Sequence, residues 1–442
     1  MYYFDDLHII YSIIQFYNFQ LYANIINTKY KFINLDYFMS KFDEYFLMNE
    51  KDILEYSKEK LKYFDSKNKI TCREIGDGNL NYVYRVKNNK KSVIIKQAGI
   101  RTRSDSSGRI LDINRNKREA EILIYYGKKF PKLAPKIYHI DETMKLFVME
   151  DLKDYTILRD ALIKGRIITH LPKQITDFIA ETTLSTADFF TDAFEKKNEV
   201  AKYTNKELCK ISEELVFTEP FFNLLKENVF SDSLKKYVEK EFYKNKELQF
   251  EAAKLKYEFM NNPQALIHGD LHTGSIFTND KYIKVMDCEF AFYGPIGYDL
   301  GTIIANLIFS YVYHLNIVSK NNAKFLTFIY DAINEIFILF KKKFLNKCNK
   351  DIKDVSAKNE EFIKYYLNNV LEYSFGICGL EIIRRTTGCA RVKEIESVAD
   401  EKKRADIEYS LLKIGKECIM QRERLIKVED FTKFVDSALQ VS

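Results

Sequence analysis

Several features that define whole classes of protein are missing from this sequence. Tryptophan is absent, and the seven cysteines among 442 residues are scattered without a C-x-x-C pair. An odd, dispersed set of cysteines argues against a disulfide framework or a structural zinc site and fits reduced thiols in the cytosol. His268 and His272 have the spacing of a zinc-binding helix, but Gly269 lies between them and the glutamate of H-E-x-x-H is missing. A metal-ligand role for this histidine pair is therefore not expected.

A strong imbalance of charge is also missing. The chain has 69 basic and 63 acidic side chains, a net charge of +6, and the two signs are interspersed. This distribution is typical of a solvated surface, and no domain-scale cluster of Lys and Arg predicts a nucleic-acid groove. With 46% hydrophobic residues, the chain is long enough for a large core or for two lobes that share one cleft.

The first 38 residues are apolar and aromatic but are interrupted by polar side chains. They have no basic n-region, no small-residue cleavage site and no uninterrupted apolar run long enough to span a bilayer. An ordinary-looking start follows at Met39. We expect residues 1–38 to be either a lineage-specific extension or an upstream reading-frame artefact, and mass spectrometry of the native N-terminus distinguishes the two.

The most informative stretch of the chain is residues 266–301. His268, Gly269 and Asp270 open a loop, and a polar turn at residues 279–280 separates two apolar runs at 275–278 and 282–286. Two apolar runs around a short polar turn predict a β-hairpin. The hairpin is preceded by one acidic residue and followed by an acidic pair, the arrangement with which protein-kinase-like enzymes hold a general base beside a metal-bound nucleotide.

The acidic residues of this stretch have distinct expected roles. Asp270 can accept a proton from a substrate hydroxyl, and His268 is expected to brace its loop through hydrogen bonds. Asp287 and Glu289 are two residues apart, so on an extended chain they would point the same way and hold Mg²⁺ through hard oxygen atoms. Asp299 lies in the first turn of the next predicted helix, where a negative charge favours the helix dipole.

A strand–turn–strand pattern lies near the start of the chain, at residues 70–75 and 82–86 around the sequence GDGNLN. Taken alone, it predicts a plain hairpin. Before a buried lysine, however, the same turn is typical of the flap over ATP phosphates, where glycine lets backbone N–H groups approach the anion. Residues 92–97 form a β-branched strand that ends near Lys96, as the kinase V-A-I-K strand does, so Lys96 is assigned to the α- and β-phosphates.

The ion-pair partner of Lys96 is expected on the next helix, predicted at residues 113–126. Glu119 and Glu121 both lie there, but residues two apart diverge by about 200° around a helix, so only one can face Lys96. The motif match favours Glu119.

A second strand pair is predicted at residues 136–140 and 145–149. Glu150, Asp151 and Leu152 follow where the two lobes of a kinase-like fold are joined, and there the backbone binds the adenine edge. The alternative is an exposed turn without a nucleotide. Residues 156–260 are predicted to be helical and show no catalytic constellation, and further helices are predicted at 298–309, 321–344 and 359–378.

Two adjacent arginines, Arg384 and Arg385, follow the last of these helices beside an apolar stretch. Burying a guanidinium group demands partners. Structurally, the arginines could pair with Glu381 or Glu394; functionally, they could clamp the γ-phosphate and sugar hydroxyls of a substrate. The sequence does not decide which arginine contacts a substrate.

Taken together, the motifs resemble one enzyme family. HGDLHTGS at residues 268–275, followed by DCEFAFYGP at 287–295, is similar to the 5-methylthioribose kinases, a branch of the aminoglycoside-phosphotransferase-like enzymes. Ser275 stands where most relatives have a metal-binding Asn, and in this branch a Ser is expected. GDGNLN and the pattern G-x-E-x-x-R-R-x-x-G-x-A at residues 379–390 also match the family. The resemblance covers nearly all of the chain beyond about residue 40.

The resemblance implies an α+β, bilobal protein-kinase-like fold with a small β-rich N-terminal lobe at residues 39–150 and a larger, mostly helical lobe at 151–442. It also implies ATP and Mg²⁺ as cofactors, a small sugar substrate, no nucleic-acid or membrane partner, a cytoplasmic location and a homodimer. Asp270 would be the catalytic base, and Asp270, Arg384 and Arg385 would bind substrate. Asp287 and Glu289 would hold the metal. The expected ATP contacts are Asn79, Lys96, Glu150, Asp151, Leu152, Asp287, Cys288 and Glu289.

The activity that the resemblance implies is ATP-dependent phosphorylation of S-methyl-5-thio-D-ribose on its anomeric hydroxyl, a step of methionine salvage. Two alternatives stay open. One is a kinase for another small hydroxyl substrate, such as choline, homoserine or an aminoglycoside, although the arginine pair favours a neutral polyol plus phosphate over a cation. The other is a non-catalytic nucleotide-binding relative, which the joint presence of Asp270, Asp287, Glu289 and Lys96 argues against.

Overall fold

The computed structural model describes residues 40–64, 69–75, 80–101, 109–317, 322–426 and 431–440. The chain divides into two units, Met1–Phe46 and Leu47–Ser442. The described part of the first unit contains one 3₁₀ turn, Lys41–Asp43, capped by a hydrogen bond from the Phe42 N–H to the Ser40 side chain. The extension at residues 1–38 and Asn79, an expected ATP contact, lie outside the described residues.

The second unit begins with a helix and a five-stranded antiparallel sheet whose strands run in the spatial order β1-β2-β3-β5-β4. The central strand β3 is buried at six of its seven positions, as its β-branched run Val93, Ile94 and Ile95 requires. The predicted strands are confirmed to within two residues at each end. These elements are α1 (Glu50–Glu59), β1 (Thr71–Glu74), β2 (Asn81–Lys87), β3 (Ser92–Ala98), α2 (Arg115–Lys129), β4 (Ile137–Asp141) and β5 (Leu146–Glu150).

The rest of the second unit is mostly helical. Its short strands form two small antiparallel sheets, β6 with β8 and β9, and β7 with β10. The predicted hairpin around residues 279–280 is confirmed as β8 and β9. The strands are β6 (Thr156–Ile157), β7 (Ala265–Ile267), β8 (Ile276–Thr278), β9 (Ile283–Val285) and β10 (Phe292–Gly294). The predicted α+β class, with a small β-rich part followed by a larger helical part, is confirmed.

The described helices of this part follow in chain order around the short strands. They are α3 (Leu158–Ile163), α4 (Leu171–Thr182), α5 (Ala193–Lys202), α6 (Lys206–Leu215), α7 (Glu219–Phe222), α8 (Lys235–Val238), α9 (Lys246–Asn261), α10 (Gly297–Asn316), α11 (Ala323–Asp351), α12 (Glu360–Thr387), α13 (Lys393–Glu396), α14 (Glu401–Met420), α15 (Arg422–Leu425) and α16 (Phe431–Gln440). None of the described helices is long and apolar enough to cross a membrane.

Helix α12 extends nine residues beyond its predicted end at Cys378. Gly379 lies inside the helix and not at its end. The absence of a side chain there allows the close approach of α12 to α14. A Cβ at Gly379 would lie 2.7 Å from the side chain of Ile419 and against the backbone of Gly415. The extra turns carry Arg384 and Arg385 on a rigid helix instead of a loop.

Candidate active site

The loop between β7 and β8 carries His268, Gly269 and Asp270 and is held by a buried carboxylate on α10. Asp299 Oδ2 accepts a hydrogen bond from the His268 N–H at 2.7 Å, and Oδ1 accepts one from the Gly269 N–H at 3.0 Å. Gly269 has a positive φ of +80°, which favours glycine. The sequence indicated only a helix-dipole role for Asp299. Its hydrogen bonds to the loop join residues about thirty positions apart, so the local sequence did not indicate them.

Two histidines fix the immediate surroundings of Asp270. His268 Nε2 lies 2.9 Å from the Met286 carbonyl, and its Nδ1 accepts from the Asp270 N–H at 3.3 Å, so His268 braces the loop. His272 Nδ1 accepts from the Gly274 N–H at 2.9 Å. The proton of a neutral His272 ring therefore lies on Nε2, 3.3 Å from Asp270 Oδ2. Burial lowers the pKa of His272, which favours this neutral form.

Arg384 and Arg385 converge on the other side of Asp270. The Nη2 atom of each lies 3.2 Å from Asp270 Oδ1. Burial raises the pKa of Asp270, but its interactions with His272, Arg385 and Arg384 lower it by more, so it stands well below its usual range. Both arginines also bind Glu381. Of the two expected structural partners, Glu381 is therefore in contact with the pair.

The other candidate partner, Glu394, lies beside a different arginine. Glu394 Oε2 is 3.7 Å from Arg159 Nε. Arg159 also donates to Asn306 Oδ1 at 2.7 Å and to Thr273 Oγ1 at 3.2 Å. Arg159 thus supports the loop that follows Asp270, a role for which no local sequence pattern offered a signal.

Lys96 is buried and forms ion pairs with two acids. Its Nζ atom is 2.7 Å from Glu119 Oε1 and 2.7 Å from Asp287 Oδ1. Glu121 faces away and pairs with Lys202 at 3.3 Å, as the divergence of residues two apart on a helix requires. Burial lowers the pKa of Lys96, but Asp287 and Glu119 raise it by more, so the lysine stays charged.

The segment after the hairpin is not extended, so the expectation that Asp287 and Glu289 point the same way along a strand is wrong. Asp287 adopts a left-handed backbone with φ 61°, and Cys288–Phe290 forms a 3₁₀ turn. The turn directs Asp287 towards Lys96 and Glu289 towards Asn81 Nδ2, at 2.8 Å. Cys288 is fully buried with its Sγ beside the Glu119 carbonyl, so only its backbone remains for a nucleotide contact.

Two residues that the sequence did not single out hold this 3₁₀ turn. Asn205, just before α6, donates from Nδ2 to the carbonyls of Glu289 at 2.8 Å and Ala291 at 3.1 Å. Arg115 is 1% exposed, and its Nε atom lies 3.6 Å from Glu289 Oε2. Both come from segments distant in sequence, one of them within the region where no catalytic constellation was expected.

The chemistry of Asp287 and Glu289 fits Mg²⁺. The Asp287 side chain is 41% exposed, and burial, which raises its pKa, is outweighed by Lys96, which keeps the carboxyl ionised. Within the described residues, no group of three or more His, Cys, Asp and Glu side chains that could hold a metal is present. Mg²⁺ needs no such group, because it is commonly bound by one or two carboxylates together with substrate phosphates and water.

The segment that joins the sheet to the helical part is held by its side chains. Asp151 accepts hydrogen bonds from Arg85 Nη2 at 3.0 Å and from Ser92 Oγ at 2.5 Å. Glu150 Oε2 lies 2.5 Å from Lys284 Nζ. The sequence predicted a backbone contact to adenine at Glu150, Asp151 and Leu152, and the side-chain contacts give Glu150 and Asp151 a structural role as well.

A small pocket lies beside Arg384. Its walls combine acidic, amide and small apolar groups from α6, α7, the segment after α7, and the end of α12 with the residues that follow it. The lining residues are Leu215, Glu219, Glu227, Asn228, Arg384, Gly388, Cys389 and Ala390.

Similarity to known proteins extends over most of the chain. Residues 219–312 match the model of the phosphotransferase enzyme family, APH. The chain is 38% identical to the methylthioribose kinase of Geobacillus sp. (strain WCH70), over 84% of this chain and 91% of that protein. It is 39% identical to the methylthioribose kinase of Bacillus velezensis, over 83% and 90%. It is 33% identical to that of Yersinia enterocolitica, over 86% and 95%.

The solved structures that align with this chain are more distant in sequence than these relatives. A choline kinase from Cryptosporidium parvum is 13% identical with a TM-score of 0.44, over 89% of this chain and 98% of that one. An ethanolamine kinase from Plasmodium vivax is 15% identical with a TM-score of 0.42, over 93% and 94%. The family is established by the sequence relatives alone: the predicted resemblance is confirmed, and the chain belongs to the methylthioribose kinase family.

Proposed function

We propose that this protein transfers the γ-phosphoryl group of ATP to the anomeric hydroxyl of S-methyl-5-thio-D-ribose, giving the 1-phosphate, in methionine salvage. Relatives that are 33–39% identical over the aligned residues are named methylthioribose kinases. The observation that carries the proposal is the convergence of a base and two cations at one point. Asp270 Oδ1 lies 3.2 Å from the Nη2 atoms of both Arg384 and Arg385, and Arg384 also lines the small pocket described above.

Asp270 aligns the sugar hydroxyl and accepts its proton in this proposal. Because the pKa of Asp270 is well below its usual range, the carboxylate is ionised at neutral pH and is a weak base. A weak base suits a loose phosphoryl-transfer transition state, in which alignment and charge neutralisation matter more than base strength. His272, with its Nε2–H directed at Oδ2, holds the carboxylate in one orientation.

Charge on the transferring group is offset from two sides. Lys96, positioned by Glu119, contacts the α- and β-phosphates of ATP, while Arg384 and Arg385 approach from the substrate side. Asp287 and Glu289 would hold Mg²⁺, which when bound would supply a hard cation at the phosphate oxygens. Preorganised cations of this kind account for much of the rate enhancement in phosphoryl transfer.

We place the sugar next to Arg384. There Glu219, Glu227 and Asn228 offer oxygen atoms as acceptors for hydroxyl groups, while Leu215 and Ala390 offer apolar contact for the methylthio group. The division into lobes at residues 39–150 and 151–442, a cytoplasmic location and a homodimer are further parts of the proposal, which rest on the family resemblance.

An ADP-production assay with methylthioribose, ribose, choline and kanamycin in parallel tests the proposed function. We expect turnover with methylthioribose to exceed that with the other three acceptors, and ³¹P NMR to place the phosphate on the anomeric carbon. Preferential turnover of choline or kanamycin would favour a different small-molecule kinase. Absence of ADP production with all four acceptors, in a protein that binds ATP, would indicate a non-catalytic relative.

A further inference from the structure

Glu381 is a buried acid that contacts both arginines of the proposed site. We propose that Glu381 is a positioning residue for phosphoryl transfer: its carboxylate fixes both guanidinium groups so that their outer nitrogens face Asp270 and the transferring phosphate. The inference rests on the proposed function for the identity of the reaction, but its geometry is independent of the substrate.

The contacts of Glu381 are divided evenly between the two arginines. Oε1 accepts from Arg385 Nε at 3.0 Å, and Oε2 accepts from Arg384 Nε. In each arginine the inner nitrogen is thereby used, while Nη2 reaches Asp270. Because a guanidinium group is planar, fixing Nε also fixes the direction of both Nη atoms.

Helix geometry explains why one acid is needed for two arginines. Adjacent residues of a helix point about 100° apart, so Arg384 and Arg385 would otherwise diverge from one another. Residues three and four positions later lie about 60° and 40° to either side of the first residue, one turn along the axis. Glu381 precedes the arginines by three and four positions, and its carboxylate draws them onto one line towards Asp270.

Glu381 is itself held from the side of the catalytic loop. Asn306 on α10 donates from Nδ2 to Glu381 Oε1 at 3.4 Å, and its Oδ1 accepts from Thr273 Oγ1 at 3.2 Å. Thr273 lies three residues after Asp270, so one amide links the acid that orients the arginines to the loop that carries the base. The distance between base and cations is therefore set by side chains that need not touch the substrate.

The carboxylate is charged in spite of its depth. Glu381 is 1% exposed, and burial raises its pKa, but Arg384 and Arg385 lower it by more, to a value below the usual one. With Asp270, the cluster holds two negative and two positive charges. An uncharged amide at position 381 would leave two adjacent cations with only Asp270 as a shared counter-charge.

The first test compares Glu381→Gln with a matched control elsewhere in the helical part. Glu251 also binds a buried arginine, Arg422, but contacts neither Asp270 nor the arginine pair in the described structure. We expect Glu381→Gln to lower kcat about 10- to 100-fold, in line with the loss of hydrogen bonds between charged groups, with the KM for ATP within about threefold of wild type. Glu251→Gln should keep kcat within about twofold, because it changes only stability.

A double-mutant cycle separates positioning from simple structural support. Lysine has no Nε–H fork, so in the Arg384→Lys, Arg385→Lys background the carboxylate has no guanidinium groups to orient. There, Glu381→Gln should lower kcat by less than about threefold further. An additional loss as large as in the wild-type background would overturn the inference, because Glu381 would then act by another route.

A second variant and a second measurement apply if Glu381→Gln does not fold. Glu381→Asp keeps the charge but withdraws it by about one bond length, so kcat should still fall, by about tenfold or more, with near-normal thermal stability. In ¹⁵Nε-arginine NMR of the substrate-free protein, the Nε–H signals of Arg384 and Arg385, assigned with the lysine variants, should be protected from exchange in wild type and lose protection in Glu381→Asp. Wild-type kcat or unchanged protection would overturn the inference.

These readouts also keep the inference distinct from the proposed function. A wild-type protein that does not phosphorylate methylthioribose would refute the function, while the NMR signals would still test the orientation of the arginines. An active wild type whose Glu381→Gln variant is equally active would refute the inference and leave the function intact.

Discussion

A methyl group added at Gly269 should push the loop that carries Asp270 away from the 3₁₀ turn Cys288–Phe290. Gly269 has φ +80°. A Cβ at this position would clash with the carbonyl oxygen of Phe290 and lie 2.8 Å from its carbonyl carbon. Those atoms belong to the backbone of the 3₁₀ turn that carries Glu289, so no side-chain rotation can relieve the contact. Gly269→Ala must therefore move one loop away from the other.

The size of the effect follows from these distances. Carbon atoms pack at about 3.5–4.0 Å, so a gap of at least about 0.7 Å has to open between the two loops. The left-handed backbone costs alanine about 1 kcal/mol, and overpacking adds about 1–3 kcal/mol. A misplacement of about 1 Å between reacting groups can cost about 10²-fold in rate. We therefore expect kcat to fall about 100-fold and the free energy of unfolding to fall by about 2–4 kcal/mol.

Gly127 offers a matched control. It lies in α2, and a Cβ there would meet no atom within 4 Å. Gly127→Ala should raise the free energy of unfolding by up to about 1 kcal/mol, because alanine favours the helix, and should leave kcat unchanged. Steady-state kinetics and urea unfolding of both variants are the measurements. A Gly269→Ala protein with wild-type kcat and stability would refute the close contact of the two loops.

Three further predictions concern the charged groups. Glu119→Gln should lower kcat/KM for ATP about 10- to 100-fold, whereas Glu121→Gln, whose partner is Lys202, should change it less than about twofold; equal losses would contradict the pairing with Lys96. Asp270→Asn should lower kcat about 10²- to 10⁴-fold while calorimetry shows ADP affinity within about threefold of wild type; near-normal turnover would exclude Asp270 as the base. The pKa of Asp270 is depressed in the folded state, so the stability that its ionised carboxylate contributes is present above about pH 4 and is lost only as the pH falls through the folded-state pKa. The carboxyl ¹³C shift of Asp270 should therefore not move between about pH 8 and pH 5. A titration in that range would contradict the ion pairs.

The parts of the site that were predictable from sequence are those built from contiguous residues. The hairpin β8–β9 follows from two apolar runs around a polar turn, and the strand that carries Lys96 follows from its β-branched neighbours. The choice between Glu119 and Glu121 is also local, since the helical repeat allows only one to face Lys96 and a motif match selects it. Short-range patterns of this kind are decided by backbone geometry and burial.

The supporting contacts were not predictable because they join distant segments. Asp299 accepts a hydrogen bond from Gly269, thirty residues earlier, and Asn205 donates one to the carbonyl of Glu289, more than eighty residues later. Neither residue has a signature in its own neighbourhood: an acid in the first turn of a helix and an asparagine before a helix are both common. The prediction of an extended chain at Asp287 was wrong for a related reason. The carboxylate of Asp287 pairs with Lys96, and the left-handed backbone at Asp287 and the 3₁₀ turn after it set the directions of the Asp287 and Glu289 side chains. Residue spacing alone does not reveal this geometry.

The arginine pair shows how a correct local observation can leave the chemistry open. Adjacent arginines beside an apolar stretch demanded partners, and the structural and functional interpretations appeared as alternatives. In the structure the two interpretations are compatible: Glu381 accepts hydrogen bonds from both Nε atoms, and an outer nitrogen of each arginine remains against Asp270. A buried ion pair that only stabilised the fold would be replaceable by apolar groups at little cost. Under the positioning role proposed for Glu381, apolar replacements would lose the approach of both arginines to Asp270, so the activity of Glu381 variants, more than their stability, tests why the charges are buried.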